Sequence, residues 1–174
     1  LKSYNQRNDE AQLDYQLAVQ YGSADPRLPL RLGWTRLTDT VSVRNQFDDL
    51  LRRKDLSVRE RAEAHNGRGF SLAMLGQDKA AIEDANAAVD LAVKMKNQEA
   101  WQVLFSAAGI YALTAEIAEQ ENFDTALAEQ RTNRAIDLLK RARALGLPNK
   151  KLIHQDRAFV PLLRNKDFQA LLQE

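Results

Sequence analysis

Few side chains in this chain of 174 residues have the type and spacing that metal binding needs. The two histidines, His65 and His154, lie far apart, and neither has a neighbouring ligand at the spacing of a metal site. Cysteine is absent, which excludes disulfides, thiolate catalysis and cysteine-bound metals. We therefore predict no metal and no cofactor, and we expect His65 to pack within the fold.

The sequence also lacks an arrangement for acid–base or nucleophilic catalysis. Asp48 and Asp49 are adjacent, so on a helix they point in different directions and form a solvated face rather than a proton-sharing pair. No Ser-His-Asp set and no Gly-rich phosphate-binding loop is recognisable. We predict that this chain carries no catalytic residue and is not an enzyme.

Composition and charge favour a soluble helical domain. Hydrophobic residues make up 44% and charged residues 28%, and the net charge of +1 gives no global attraction to nucleic acid or to an anionic membrane. No apolar run reaches the roughly 18 residues of a membrane-spanning helix, and no secretory signal is recognisable. The lack of cysteine fits a cytoplasmic location, and the start at Leu1 indicates a fragment of a longer protein.

The elements that must position any functional residue are helices. Apolar spacing predicts helices over 9–21, 26–38, 41–54, 58–75, 79–96, 99–121 and 124–145, followed by a tail, 150–174, with two short helices around Pro161 and Asn165. Ser57 and Glu60 have the spacing of a capping box at the start of the fourth helix. No stretch alternates with period two, so we expect no strands.

Small residues recur at steps of three and four, which places them on one helix face and lets another helix approach closely. The pattern runs Gly69-x2-Leu72-x3-Gly76 and then Ala81-x3-Ala85-x2-Ala88, and its second half returns as Ala11-x3-Tyr15-x2-Ala18 and Ala135-x3-Leu139-x2-Ala142. Recurring helix pairs of this kind build solenoids, which usually hold another polypeptide.

These residues resemble the tetratricopeptide repeat, a helix–turn–helix unit of roughly 34 residues. The resemblance implies an all-α solenoid of antiparallel helix pairs over 1–174, with a helix at 9–21, repeats at about 26–56, 58–97 and 99–146, and a capping segment at 150–174. The repeat at 58–97 matches best. The repeat before it is degenerate, and the repeat after it carries an insertion of roughly 15 residues that lengthens its helices or the turn between them.

The segment 105–172 is similar to the closing part of tetratricopeptide regions that follow planctomycete-type bacterial serine/threonine protein kinases. The match includes Leu152-x3-Asp156-x2-Phe159-x2-Leu162 and Phe168-x2-Leu171. It implies a parent signalling protein and supplies no kinase activity, because the kinase motifs are absent from this sequence.

The resemblance also implies which residues line the concave surface where a peptide or partner protein would bind. Trp34, Phe70 and Phe105 are the aromatic anchors expected to dominate binding energy, unless they belong to the core. The full set of candidates is Arg27, Leu30, Trp34, Thr38, Glu63, Asn66, Phe70, Met74, Gln102 and Phe105, with Leu113 continuing the surface.

Charge is unevenly distributed near the end of the chain, where 114–130 is acidic and 131–151 is basic. A long antiparallel hairpin would set the two stretches side by side, and we favour this internal compensation. The alternative is contact between the basic stretch and phosphate groups. Because no aromatic residues are interleaved for base stacking, we predict no nucleic-acid partner.

The sequence therefore predicts a protein–protein interaction module that binds on a concave helical surface. The alternative is a structural or regulatory scaffold that self-associates or packs against another domain of its parent protein. A helix at 9–21 without a preceding partner helix supports that alternative, because it would leave an apolar side in need of cover.

Overall fold

The computed structural model describes residues 40–95, 99–120, 123–148 and 151–173. The helices predicted at 9–21 and 26–38 lie outside these ranges. The described residues contain helices and no strands, as the sequence predicted. The elements are α1 (Thr40–Arg52), α2 (Val58–Met74), α3 (Asp78–Lys94), α4 (Ala100–Gln120), α5 (Thr125–Ala144), α6 (Lys151–Gln155), the 3-10 helix η1 (Arg157–Arg164) and α7 (Lys166–Gln173).

Helix α2 begins and ends at the residues that the sequence marks. The Ser57 hydroxyl accepts from the backbone N–H of Glu60, and the Glu60 carboxylate accepts from the backbone N–H of Ser57, so the predicted capping box is confirmed. At the other end Gly76 has φ +70°, a left-handed conformation that glycine adopts without strain. The turn that follows is short, so α2 and α3 form a hairpin.

Glycines in α2 and α4 allow helices to approach more closely than a side chain would permit. A Cβ at Gly67 would overlap the Phe47 ring of α1, which is fully buried. A Cβ at Gly69 would lie 2.9 Å from Ile110 Cδ1 of α4 and 3.2 Å from the Ala81 carbonyl oxygen of α3. These positions therefore fix where α1, α3 and α4 cross α2.

Helices α2 and α4 lie side by side and run in the same direction. The Asn66 side-chain amide donates to the Val103 carbonyl oxygen at 3.0 Å, and the Phe70 ring lies 3.1 Å from an ideal Cβ at Gly109. Because the contacts advance together along both helices, the helices are parallel. Their partners α3 and α5 pack against them in the main core cluster, while a smaller cluster lies between α1 and α2.

The tail differs from its prediction, because it forms three short helices instead of two. Pro161 lies inside η1 rather than between helices. In a 3-10 helix residues three apart lie on the same side, so Phe159 and Leu162 are buried together. The Phe159 ring meets Phe105 of α4 edge-on at 5.1 Å between centroids and lies 6.3 Å from Phe168 of α7. The tail therefore covers one side of α4.

Among the described residues, no helix combines the length and the apolarity that crossing a bilayer would require.

Candidate partner-binding surface

The predicted binding residues fall into two groups. Arg27, Leu30, Trp34 and Thr38 lie outside the described residues. The other six lie on α2 and α4, two helices that pack side by side. They are Glu63, Asn66, Phe70 and Met74 on α2, and Gln102 and Phe105 on α4.

Two of the six are used inside the fold. Asn66 is only 1% exposed, and its amide ties α2 to α4 through the Val103 carbonyl, so it does not face a partner. Its Oδ1 has no hydrogen-bond partner in the structure. Phe105 is half-buried and packs against Phe159 of the tail. The sequence analysis left open whether the aromatic residues belong to the core, and most of the Phe105 side chain packs against it.

The remaining four candidates stay accessible. Met74 is 58% exposed near the end of α2, and Phe70, one turn earlier, is half-buried beside Gly109. Glu63 and Gln102 are partly exposed at the opposite end of the helix pair. The accessible part of the surface therefore has an apolar end and a polar end.

Arg59 organises the polar end. Its guanidinium donates to Glu63 Oε1 at 2.7 Å and to Gln102 Oε1 at 2.8 Å, and it also pairs with the Glu99 carboxylate. Sequence reasoning missed Arg59 and Glu99, although the four-residue step from Arg59 to Glu63 on a helix was a readable signal. We refer to Arg59, Glu63, Phe70, Met74, Glu99 and Gln102 as the α2–α4 surface.

A buried ionic network fixes α2 between its two neighbours. Asp84 of α3 accepts two hydrogen bonds of 2.7 Å from Arg68 and lies 2.8 Å from His65 Nδ1, while Arg68 also donates to Asp48 of α1 at 2.8 Å. Burial raises the pKa of Asp84, but the hydrogen bonds from Arg68 and His65 lower it further, so the pKa lies below its ordinary value.

The same network explains His65. The residue packs between α2 and α3 against a single carboxylate, in line with the expectation that it belongs to the fold. Within the described ranges, no group of three or more His, Asp or Glu side chains is arranged to hold a metal ion.

The acidic and basic stretches at the end of the chain do not pair in the predicted way. Arg131 is buried and donates to the Thr114 carbonyl oxygen of α4. Its ion-pair partner is the Asp78 carboxylate of α3, at 2.7 Å. Arg134 pairs with Asp137 in the same helix at 3.0 Å. The hairpin of α4 and α5 does set the two stretches side by side, but Arg131 and Arg134 pair with carboxylates on α3 and within α5.

A cleft of about 570 Å³ opens between α3 and α5, with Tyr111 of α4 among its lining residues. The Tyr111 hydroxyl donates to Asn86 Oδ1 at 2.7 Å, which fixes the Asn86 carboxamide. The lining residues are Ile82, Asn86, Tyr111, Leu127, Gln130, Arg131, Asn133, Arg134 and Asp137. Sequence reasoning missed this cleft because its walls come from helices far apart in the chain.

Comparisons with protein-family models, with curated proteins and with solved structures gave no significant match to this chain. Its relation to tetratricopeptide and kinase-associated regions therefore stays a prediction from the sequence.

Proposed function

We propose that this chain is a non-catalytic protein-interaction module that binds a peptide or a partner protein on the α2–α4 surface. The observation that carries the proposal is the parallel packing of α2 and α4. Met74 supports it as an accessible apolar side chain near the end of α2, and Arg59 supports it because its guanidinium joins polar side chains of both helices. Interfaces of this kind combine an apolar anchor with a polar rim.

The arrangement of the hairpins supports a tetratricopeptide-like solenoid. In such an array the first helices of successive units lie next to each other, and each second helix packs between two first helices. Here α2 and α4 are neighbours, and α3 contacts both. By the resemblance of its C-terminal part, the module would belong to a bacterial signalling protein, such as one with a serine/threonine kinase domain.

The tail sets the limit of the proposed site. Phe159, Leu162 and Phe168 are each at most 1% exposed. Burial of a side chain of this size contributes about 1.5–3 kcal/mol. Exposing all three to solvent would therefore cost more free energy than a typical transient partner gains on binding. A partner therefore binds beside the tail, along Met74, Phe70 and the Arg59 group, and does not displace it.

The test is a selection of peptides from a random phage-displayed library on the immobilised full chain, followed by fluorescence-anisotropy titrations. Met74→Glu and Gln102→Ala should each weaken a selected peptide roughly tenfold or more, which corresponds to about 1.4 kcal/mol. Val41→Glu is the matched control, because Val41 is 50% exposed and lies on α1, which contributes no residue to the α2–α4 surface. Failure to enrich any peptide, or equal binding by all variants, would remove the proposal.

A further inference from the structure

Phe123, in the connection between α4 and α5, is unusual in two respects. It is the only non-glycine residue with a positive φ, +52°, among those that the structure describes, and a bulky side chain rarely adopts that conformation. Its side chain is also 86% exposed. The positive φ is used in the turn after α4, where the Asp124 N–H donates to the Ala118 carbonyl oxygen at 2.9 Å, but the exposed ring contributes little to the stability of an isolated copy.

The cleft between α3 and α5 has the size and the walls to receive an aromatic side chain. Its volume of about 570 Å³ exceeds that of one phenyl ring. Ile82 of α3 and Leu127 of α5 contribute apolar side chains to its lining. The Tyr111 hydroxyl is already paired with Asn86, so a ring that enters the cleft leaves no hydroxyl donor without a partner.

The charges around Phe123 and around the cleft are opposite. Glu119 and Asp124 are exposed on either side of Phe123 in the chain. The cleft is lined by Arg131, whose charge Asp78 compensates at 2.7 Å, and by Arg134 with one lining carboxylate, Asp137. Asp137 also lies 3.9 Å from Arg141, so a single carboxylate serves two guanidinium groups and leaves positive charge at the edge of the cleft.

Phe123 precedes Leu127, a lining residue of the cleft, by four positions in the chain, so one contact between two copies can be made twice. We propose that two copies of this chain form a two-fold dimer in which Phe123 of each enters the α3–α5 cleft of the other. Glu119 of one copy then faces Arg134 of the second. Such a reciprocal contact closes on itself and does not propagate into a filament. It is independent of the α2–α4 surface.

The first experiment measures the mass of the full chain by sedimentation velocity across a wide concentration range. The wild-type chain should dimerise, and Phe123→Asn should raise the dimer dissociation constant roughly thirtyfold or more, the size expected for an aromatic hot spot. Asn tolerates a positive φ, so this variant keeps its fold, which circular dichroism checks. The matched control, Val41→Asn, removes another exposed apolar residue, on α1, and should dimerise like the wild type.

The second experiment tests the charge pairing. Glu119→Arg alone and Arg134→Glu alone should each be monomeric, because like charges would meet twice in either homodimer. Mixing the two variants should restore a dimer, since one of its contacts is native and the other has both charges reversed. A monomeric wild type, a Phe123→Asn dimer of unchanged affinity, or no dimer on mixing would each overturn the proposal. None of these outcomes changes the result expected in the peptide-binding assay.

Discussion

At the scale of single residues, Asp84 is a buried carboxylate that links two side chains of α2. It is 3% exposed and satisfies both Arg68 and His65. We expect Asp84→Asn to lower the free energy of unfolding at neutral pH by about 2–3 kcal/mol, since Arg68 loses its main partner but remains partly solvated. Urea unfolding measures the change. Asp49→Asn, which removes an exposed pair with Arg52, should cost at most about 0.5 kcal/mol.

The pKa of Asp84 also makes stability depend on pH. The folded-state pKa lies below the ordinary value of 3.8, so the stabilising contribution is complete above that value and is lost as pH falls through the lower, folded pKa. Thermal unfolding from neutral to strongly acidic pH should show this loss in the wild type and a smaller one in Asp84→Asn. Parallel pH curves for the two proteins would contradict the assignment.

Residue-level contacts were predictable where they are local. The Ser57–Glu60 capping box spans three positions and could be read directly. Arg68 and Asp84 are 16 positions apart, and Arg131 and Asp78 are 53 apart, so no spacing rule connects either pair. The exposed conformation of Phe123 was equally invisible, because a hydrophobic residue near a helix end reads as part of the core.

At the scale of helices, the spacing of apolar residues and the residues that stop helices predicted the bounds of the five long helices to within about two residues. The tail was harder. Proline usually interrupts a helix, so Pro161 predicted a break, but a 3-10 helix accommodates it while burying Phe159 and Leu162. The pairing of α2 with α4 rested on the family resemblance and not on any single residue.

The crossing of α1 over α2 depends on Gly67. Gly67→Ala should destabilise the fold by about 2–3 kcal/mol, because the new methyl group overlaps the buried Phe47 ring. Chemical denaturation measures the effect. Replacing Phe47 by Leu in the same chain should recover part of the loss, whereas two additive losses would show that the overlap is not the cause.

Gly76→Ala provides the contrast for Gly67. No atom lies within 4 Å of a Cβ at this position, so only the left-handed backbone opposes the substitution. The expected cost is about 1–2 kcal/mol, and changing Phe47 should not alter it.

At the scale of the whole molecule, the tail is part of the core rather than an appendage. Phe159→Ala should lower the free energy of unfolding by about 3–5 kcal/mol, because it empties the space between Phe105 and Phe168. Leu163→Ala in the same short helix is the control, since Leu163 is 44% exposed and should change stability by less than about 1 kcal/mol. A small effect at both positions would mean that the tail detaches freely.

The position of η1 also decides how this architecture can grow. It lies against Gly109, which Phe70 approaches as well. An additional hairpin appended after α5 would compete with the tail for that flank of α4. We therefore expect engineered elongation to succeed when new helix pairs are inserted before α4 and to fail when they are appended after α5, with the final segment kept as the cap.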